Sequence, residues 1–170
     1  MNDDTKELVT SIVNDIEIDN LVNDITKDIC KELDEYVATV YDVLHNPNDE
    51  QLSDVELDNI ILKLPCMMYF VGEKQEQLGL RDDILKYANK EEYAKIMQRE
   101  GKKVDNEMMA NIELRQKQVI SSIITRSYKQ ISVKMDMALE LLQSAKKVAT
   151  RRMALMELEN SSEGVKNGRK

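Results

Sequence analysis

Tryptophan is absent from this sequence, and Phe70 and His45 are its lone phenylalanine and histidine. One histidine, with no Cys or second His in pattern around it, leaves neither an acid–base pair nor a metal set, and His45 beside Asn46-Pro47 reads as a helix-end cap. No GxGxxG, Walker loop or HExxH occurs. The chain is therefore expected to be non-enzymatic, with no cofactor and no metal. Five Gly and two Pro are too few for a turn-rich β fold. Two cysteines, Cys30 and Cys66, form no CxxC pair and read as reduced and structural, which fits a cytoplasmic protein. No apolar run reaches the roughly 18 residues that a membrane span needs. Met1-Asn2-Asp3-Asp4 is acidic where a signal peptide is basic, so the expectation is a soluble protein with no membrane partner.

Leu, Ile, Met, Glu and Lys are abundant instead, and they favour helices. The expected fold class is all-α: an elongated helical bundle with a kinked middle helix and a long C-terminal amphipathic helix that oligomerises. Charge is segregated along the chain. Residues 1–60 hold 17 acids against 3 lysines, residues 61–100 hold 7 of each sign, and residues 101–170 carry 14 basic against 8 acidic residues. The formal charge of −8 thus leaves room for a basic face beside an acidic arm.

In order, Leu8, Val9, Ile12, Val13 and Ile16 suggest a short helix with a fraying end. Val22, Ile25, Ile29, Leu33, Tyr36, Val40 and Leu44 then keep the spacing of one apolar stripe. Asn46-Pro47-Asn48 is expected to end this element, giving an acidic N-terminal helical arm over 1–46. Its acids read either as a solvated face or as a phosphate mimic that shields the basic segment. Ser53-x-x-Glu56 has the form of a capping box and opens a helical core and binding region over 53–159. Pro65 kinks or ends that helix, Leu64 to Val71 reads as core, and Gly72 and Gly79 loosen the stretch beyond it. A further helix covers 80–100, where Tyr87 and Tyr93 stand among Lys86 and Lys90, a mixture suited to stacking on single-stranded nucleic acid or to an ordinary solvated edge. Gly101 breaks the pattern, and Asp105 or Asn106 is expected to cap the next helix.

That last helix, Asp105 to Glu159, carries an apolar side on which Ile131, Leu141, Leu142 and Val148 are the expected oligomerisation contacts. Weak helix formers over 119–133 place a break between Ser127 and Met135, where Ile131, Val133, Met135 and Met137 also alternate as a strand would. At about 100° per residue, Arg115, Arg126, Lys129, Lys147 and Arg151 share a sector about 60° wide, with Arg152 adding charge near its end. A cationic stripe opposite a packing face suits a phosphate backbone. Asp136 and Glu140 lie in the same sector, so a solvated face paired at four-residue spacing is the alternative. Residues 160–170 read as a flexible basic tail.

The order Leu64-Pro65-Cys66-Met67-Met68-Tyr69, then Leu80 to Tyr93, Gly101, and a block from Ile131 to Glu159 containing Ala149-Thr150-Arg151-Arg152-Met153, resembles the recombination-mediator proteins of T4-like bacteriophages. The resemblance implies a protein of the host-cell cytoplasm that binds single-stranded DNA and forms a ring-like homo-oligomer through its C-terminal helix. It also implies loading of a recombinase onto DNA coated by single-strand-binding protein, with Arg81 to Tyr93 as the counterpart of the family's basic, Tyr-containing element. The rival expectation is a structural or adaptor protein, such as a phage assembly component or an acidic inhibitor, that acts through protein contacts alone.

Overall fold

The structure, a computed structural model, describes the backbone of residues 3–45 and 52–167 and the side chains of residues 16–44 and 52–159. Three helices account for it: α1 (Asp3–His45), α2 (Asp54–Met97) and α3 (Lys103–Asn167). No strand occurs among the described residues, and no described helix is long and apolar enough to cross a membrane. The chain is all-α, as its composition implies.

Each helix is longer than its local sequence suggests. α1 is continuous, where residue spacing implies a short helix and a second, stronger one. Its buried line is Val22, Thr26, Cys30, Leu33 and Val40, so Thr26 and Cys30 occupy the centre while Ile25 and Ile29 are half-buried beside them. Thr26 can sit there because its hydroxyl donates to the Val22 carbonyl at 2.8 Å and is shared with Gln130 Oε1 at 3.1 Å. The expected stop at Asn46-Pro47-Asn48 and the cap at His45 lie outside the described side chains.

α2 opens at the expected capping box. The Glu56 amide donates to Ser53 Oγ at 3.2 Å, and the Ser53 amide donates to Glu56 Oε2 at 2.8 Å. The helix does not end at Pro65, nor do Gly72 and Gly79 interrupt it. Leu57, Leu64, Val71 and Leu78 recur every seven residues and are all buried, with Leu85 half-buried after them. Such a seam outweighs the one backbone bond that Pro65 removes, and Pro65 itself is exposed. The stretch from Leu64 to Val71 is core only at its ends. Cys66, Tyr69 and Phe70 are exposed, so of the two cysteines Cys30 alone is a core residue.

Gly101 turns the chain with φ of 151°, a region that L side chains avoid. Neither Asp105 nor Asn106 caps α3 from outside. The helix begins earlier, with the Asn106 amide donating to the Lys102 carbonyl at 3.1 Å, and the buried Asn106 side chain reaches back to the Arg99 carbonyl at 2.8 Å. α3 then runs unbroken through Ser127 to Met135 and on to Asn167, past the expected boundary at Glu159. Burial of Ser127 and Ile131 overrides the weak propensity of the Ile/Ser/Thr run, since packing supplies most helix stability in proteins. Residues 168–170 lie outside the described residues.

Packing falls into two compact units, residues 1–30 with 71–133 and residues 31–70 with 134–170. In the first, Val22 and Cys30 of α1, Val71, Leu78 and Ile96 of α2, and Ala110, Leu114, Ile123 and Ile131 of α3 are buried. In the second, Leu33 and Val40, then Leu57, Ile60 and Leu64, then Ala138, Leu141, Leu142 and Ala145 play the same part. The acidic segment therefore contributes core residues to both units.

Gly79 lies against the Tyr128 ring, where an added Cβ would stand 3.2 Å from Cε2. Gly79→Val is expected to cost about 1–2 kcal/mol in urea denaturation through overpacking. In a Tyr128→Ala background the same change should be neutral or stabilising, because a helical Gly is itself unfavourable. A similar cost in both backgrounds would rule out this contact as the cause.

Candidate interaction surfaces

In the first unit α2 and α3 pack antiparallel along a polar seam. Gln75 Nε2 donates to the Tyr128 carbonyl at 3.1 Å and to Ser132 Oγ at 2.5 Å. One heptad on, the buried Asp82 carboxylate accepts from Ser121 Oγ at 2.6 Å and Thr125 Oγ1 at 2.8 Å, and meets Lys86 Nζ at 2.6 Å. Further along, Lys117 pairs with Glu92, and Arg99 grips Glu113 through two bonds of 2.7 and 3.1 Å. Ser127 Oγ is enclosed with no hydrogen-bond partner among the described residues.

Sequence reasoning misses these groups as a set. Asp82 and Asp83, adjacent on a helix, point apart and make no metal site, but that spacing is silent about the opposite helix. A signal is present as polar residues at heptad spacing on α2, Gln75 facing Ser132 and Asp82 facing Ser121 and Thr125. No cluster of three His, Cys, Asp or Glu side chains suited to a metal ion occurs among the described residues.

The expected cations divide between the two units and between two conditions. In the first unit Arg126 is tied to Asp19 at 3.1 Å, whereas Arg115 and Lys129 are exposed and make no ion pair among the described residues. In the second, Arg152 is tied to Asp54 at 2.8 Å, whereas Lys147 and Arg151 are exposed and similarly unpaired. Asp136 and Glu140 are exposed too, and neither forms the four-residue pair that would have neutralised the row. The second unit also holds a Lys134–Asp34 pair at 2.6 Å.

Tyr87 and Tyr93 are both exposed, in the same unit as Arg115 and Lys129. Lys90 Nζ already stands 5.8 Å from the Tyr87 ring centre. The expected oligomerisation contacts require correction: Ile131, Leu141 and Leu142 are buried inside the chain and Val148 is half-buried, so the first three present nothing to a partner. The apolar surface that is exposed lies elsewhere. Leu80, Ile84 and Tyr87 form an i, i+4, i+7 row on α2, and Val104, Met108, Ile112 and Val119 form another on α3.

Burial would push the Asp82 carboxyl up, but the Lys86 ammonium and the Ser121 and Thr125 hydroxyls outweigh it and hold the group below the usual Asp range. A carboxyl depressed on folding adds stability at pH above its unfolded pKa of about 3.9, and that stability is lost as pH falls through the folded value. Asp82→Ala is expected to cost about 1–3 kcal/mol at neutral pH. Asp82→Asn should flatten the acid limb of the stability–pH curve, and an unchanged limb would dismiss this linkage. Comparison of the chain with protein-family models, curated proteins and solved structures finds no match.

Proposed function

We propose that this is a non-catalytic helical accessory protein that self-associates and binds single-stranded DNA, assisting phage recombination or replication by helping to load a recombinase onto strands covered by single-strand-binding protein. The observation that carries the reading is the set of cations on α3 left without an ion pair among the described residues. Arg115, Lys129, Lys147 and Arg151 are exposed and held on one helix, while Arg126 and Arg152 are used to hold other helices. Each unit carries two of the first four, and exposed cations on a helix neutralise phosphates. Tyr87 and Tyr93 offer ring faces for bases.

A second reading, an adaptor acting through protein contacts alone, is favoured by the Leu80, Ile84 and Tyr87 row, whose members are 63%, 59% and 73% exposed. Anchors at this spacing are how one helix presents itself to another protein.

Binding of a labelled oligothymidylate across a salt series tests the first reading. The wild-type chain should bind at low salt and release as salt rises. Replacing Arg115, Lys129, Lys147 and Arg151 together by Ala should lower the slope of log K against log salt by roughly three, at about 0.7 per phosphate contact. No binding at low salt would sink the DNA reading. Neutralising the exposed α1 acids Asp24, Asp28, Glu32 and Glu35 should strengthen binding if α1 shields the cations. Point changes are needed for this, because removing α1 would also remove Val22, Cys30, Leu33 and Val40 from the core.

A further inference from the structure

The first unit leaves two apolar rows open, and the two have the same pitch. On α2, Leu80 and Tyr87 stand seven residues apart, and both are exposed. On α3, Ile112 and Val119 stand seven residues apart as well, 66% and 36% exposed. At about 100° per residue, the α2 row is turned about 150° from Asp82, which faces α3, and the α3 row about 150° from Ser121 and Thr125, which face α2. The rows therefore look out from opposite sides of the α2–α3 pair and cannot meet within one chain.

Charge indicates what covers them. Asp83 lies between Leu80 and Tyr87 along α2, and Arg115 lies between Ile112 and Val119 along α3; both are exposed, and neither forms an ion pair among the described residues. Each is offset from its row by about 50°, in the same rotational sense. Flanks offset in the same sense come together when two helices pack antiparallel, and fall on opposite sides of the seam when they pack parallel. An antiparallel pairing of the rows, Leu80 opposite Val119 and Tyr87 opposite Ile112, brings Asp83 within one residue of Arg115.

We infer that the α2 row of one copy packs antiparallel on the α3 row of a second copy, with Asp83 of the first paired to Arg115 of the second. Equal seven-residue spacing lets both apolar pairs meet in one seam, and the ion pair fixes its direction and register. The contact joins two different surfaces, so every bound copy still offers one open row, and association does not stop at two. It rests on the proposed function only in the premise of self-association, and needs no DNA. Both contacts draw on Arg115 and Tyr87, so a strand and a neighbouring copy exclude each other there.

Sedimentation equilibrium of the full chain, without DNA and at about 100 μM, suits an interface this small. The expected average mass rises past that of two copies and falls as salt increases. Leu80→Glu blocks the α2 row and Ile112→Glu the α3 row; both sites are exposed, so helical content and urea midpoint should stay at wild-type values. Each variant alone should associate roughly tenfold or more weakly. An equimolar mixture holds one intact row of each kind, and should regain association but stop at two copies. Where a Glu variant loses helical content, a charge exchange decides: Asp83→Arg should weaken association, and Arg115→Asp in the same chain should restore it. A monomeric wild-type chain, one that stops at two copies, a mixture no more associated than its folded components, or a failed charge exchange would each overturn the inference. Oligothymidylate binding by a strictly monomeric chain would overturn it and leave the DNA reading standing.

Discussion

A single buried carboxylate decides how α2 lies on α3 in the first unit. Asp82 is enclosed, and its charge is tolerated because two hydroxyls from α3 and one ammonium from its own helix surround it. Sliding α2 by one heptad, about two turns, would carry that charge away from Ser121 and Thr125, the hydroxyls that satisfy it, and leave an enclosed carboxylate without them, a cost of several kcal/mol. A leucine in a seven-residue repeat tolerates such a slide far better, because the next leucine takes its place. The apolar repeat of α2 therefore supplies adhesion, and Asp82 with Gln75 supplies register.

Register then fixes what remains outside. With Asp82 turned toward α3, Leu80, Ile84 and Tyr87 are turned away from it, and Lys117 and Glu113 meet Glu92 and Arg99 near the hairpin end. The sorting of cations obeys the same logic. Those of α3 that point toward α1 or α2 find acids, as Arg126 and Arg152 do, and the others are left to solvent. An acidic half of the chain thus coexists with unpaired positive charge because helix geometry limits which acids can reach which bases.

Much of this is legible from residues alone, and the failures have definite causes. The helical class comes from composition, and the Ser53–Glu56 box locates the start of α2 to the residue. Boundaries fail wherever a local signal meets a strong seam: Pro65, Gly72, Gly79 and the Ile/Ser/Thr run of α3 all weaken an isolated helix, yet Leu64, Val71, Leu78 and Ile131 are buried too well for them to prevail. Spacing puts five cations on one helix, and α3 is continuous across all of them. Which of them is free depends on acids about a hundred residues away, such as Asp19 opposite Arg126, and no local pattern encodes that. Ile131, Leu141 and Leu142 are packing residues, as their spacing implies, but they pack within the chain and not against another copy. Periodicity identifies a buried face without saying what buries it.

The turn at Gly101 bears on how the chain assembles. It joins α2 and α3 through a few residues, braced by Asn106 and by Arg99 against Glu113, so the two helices can find each other with little loop entropy to overcome. α1 meets α3 across separations of 104 and 107 residues, and contacts so distant form late. During synthesis α1 also emerges long before the partner it needs, carrying an uncovered apolar stripe. Its many acids give that waiting helix a solvated, self-repelling surface, the charge pattern that disfavours association of apolar stripes before their partners exist.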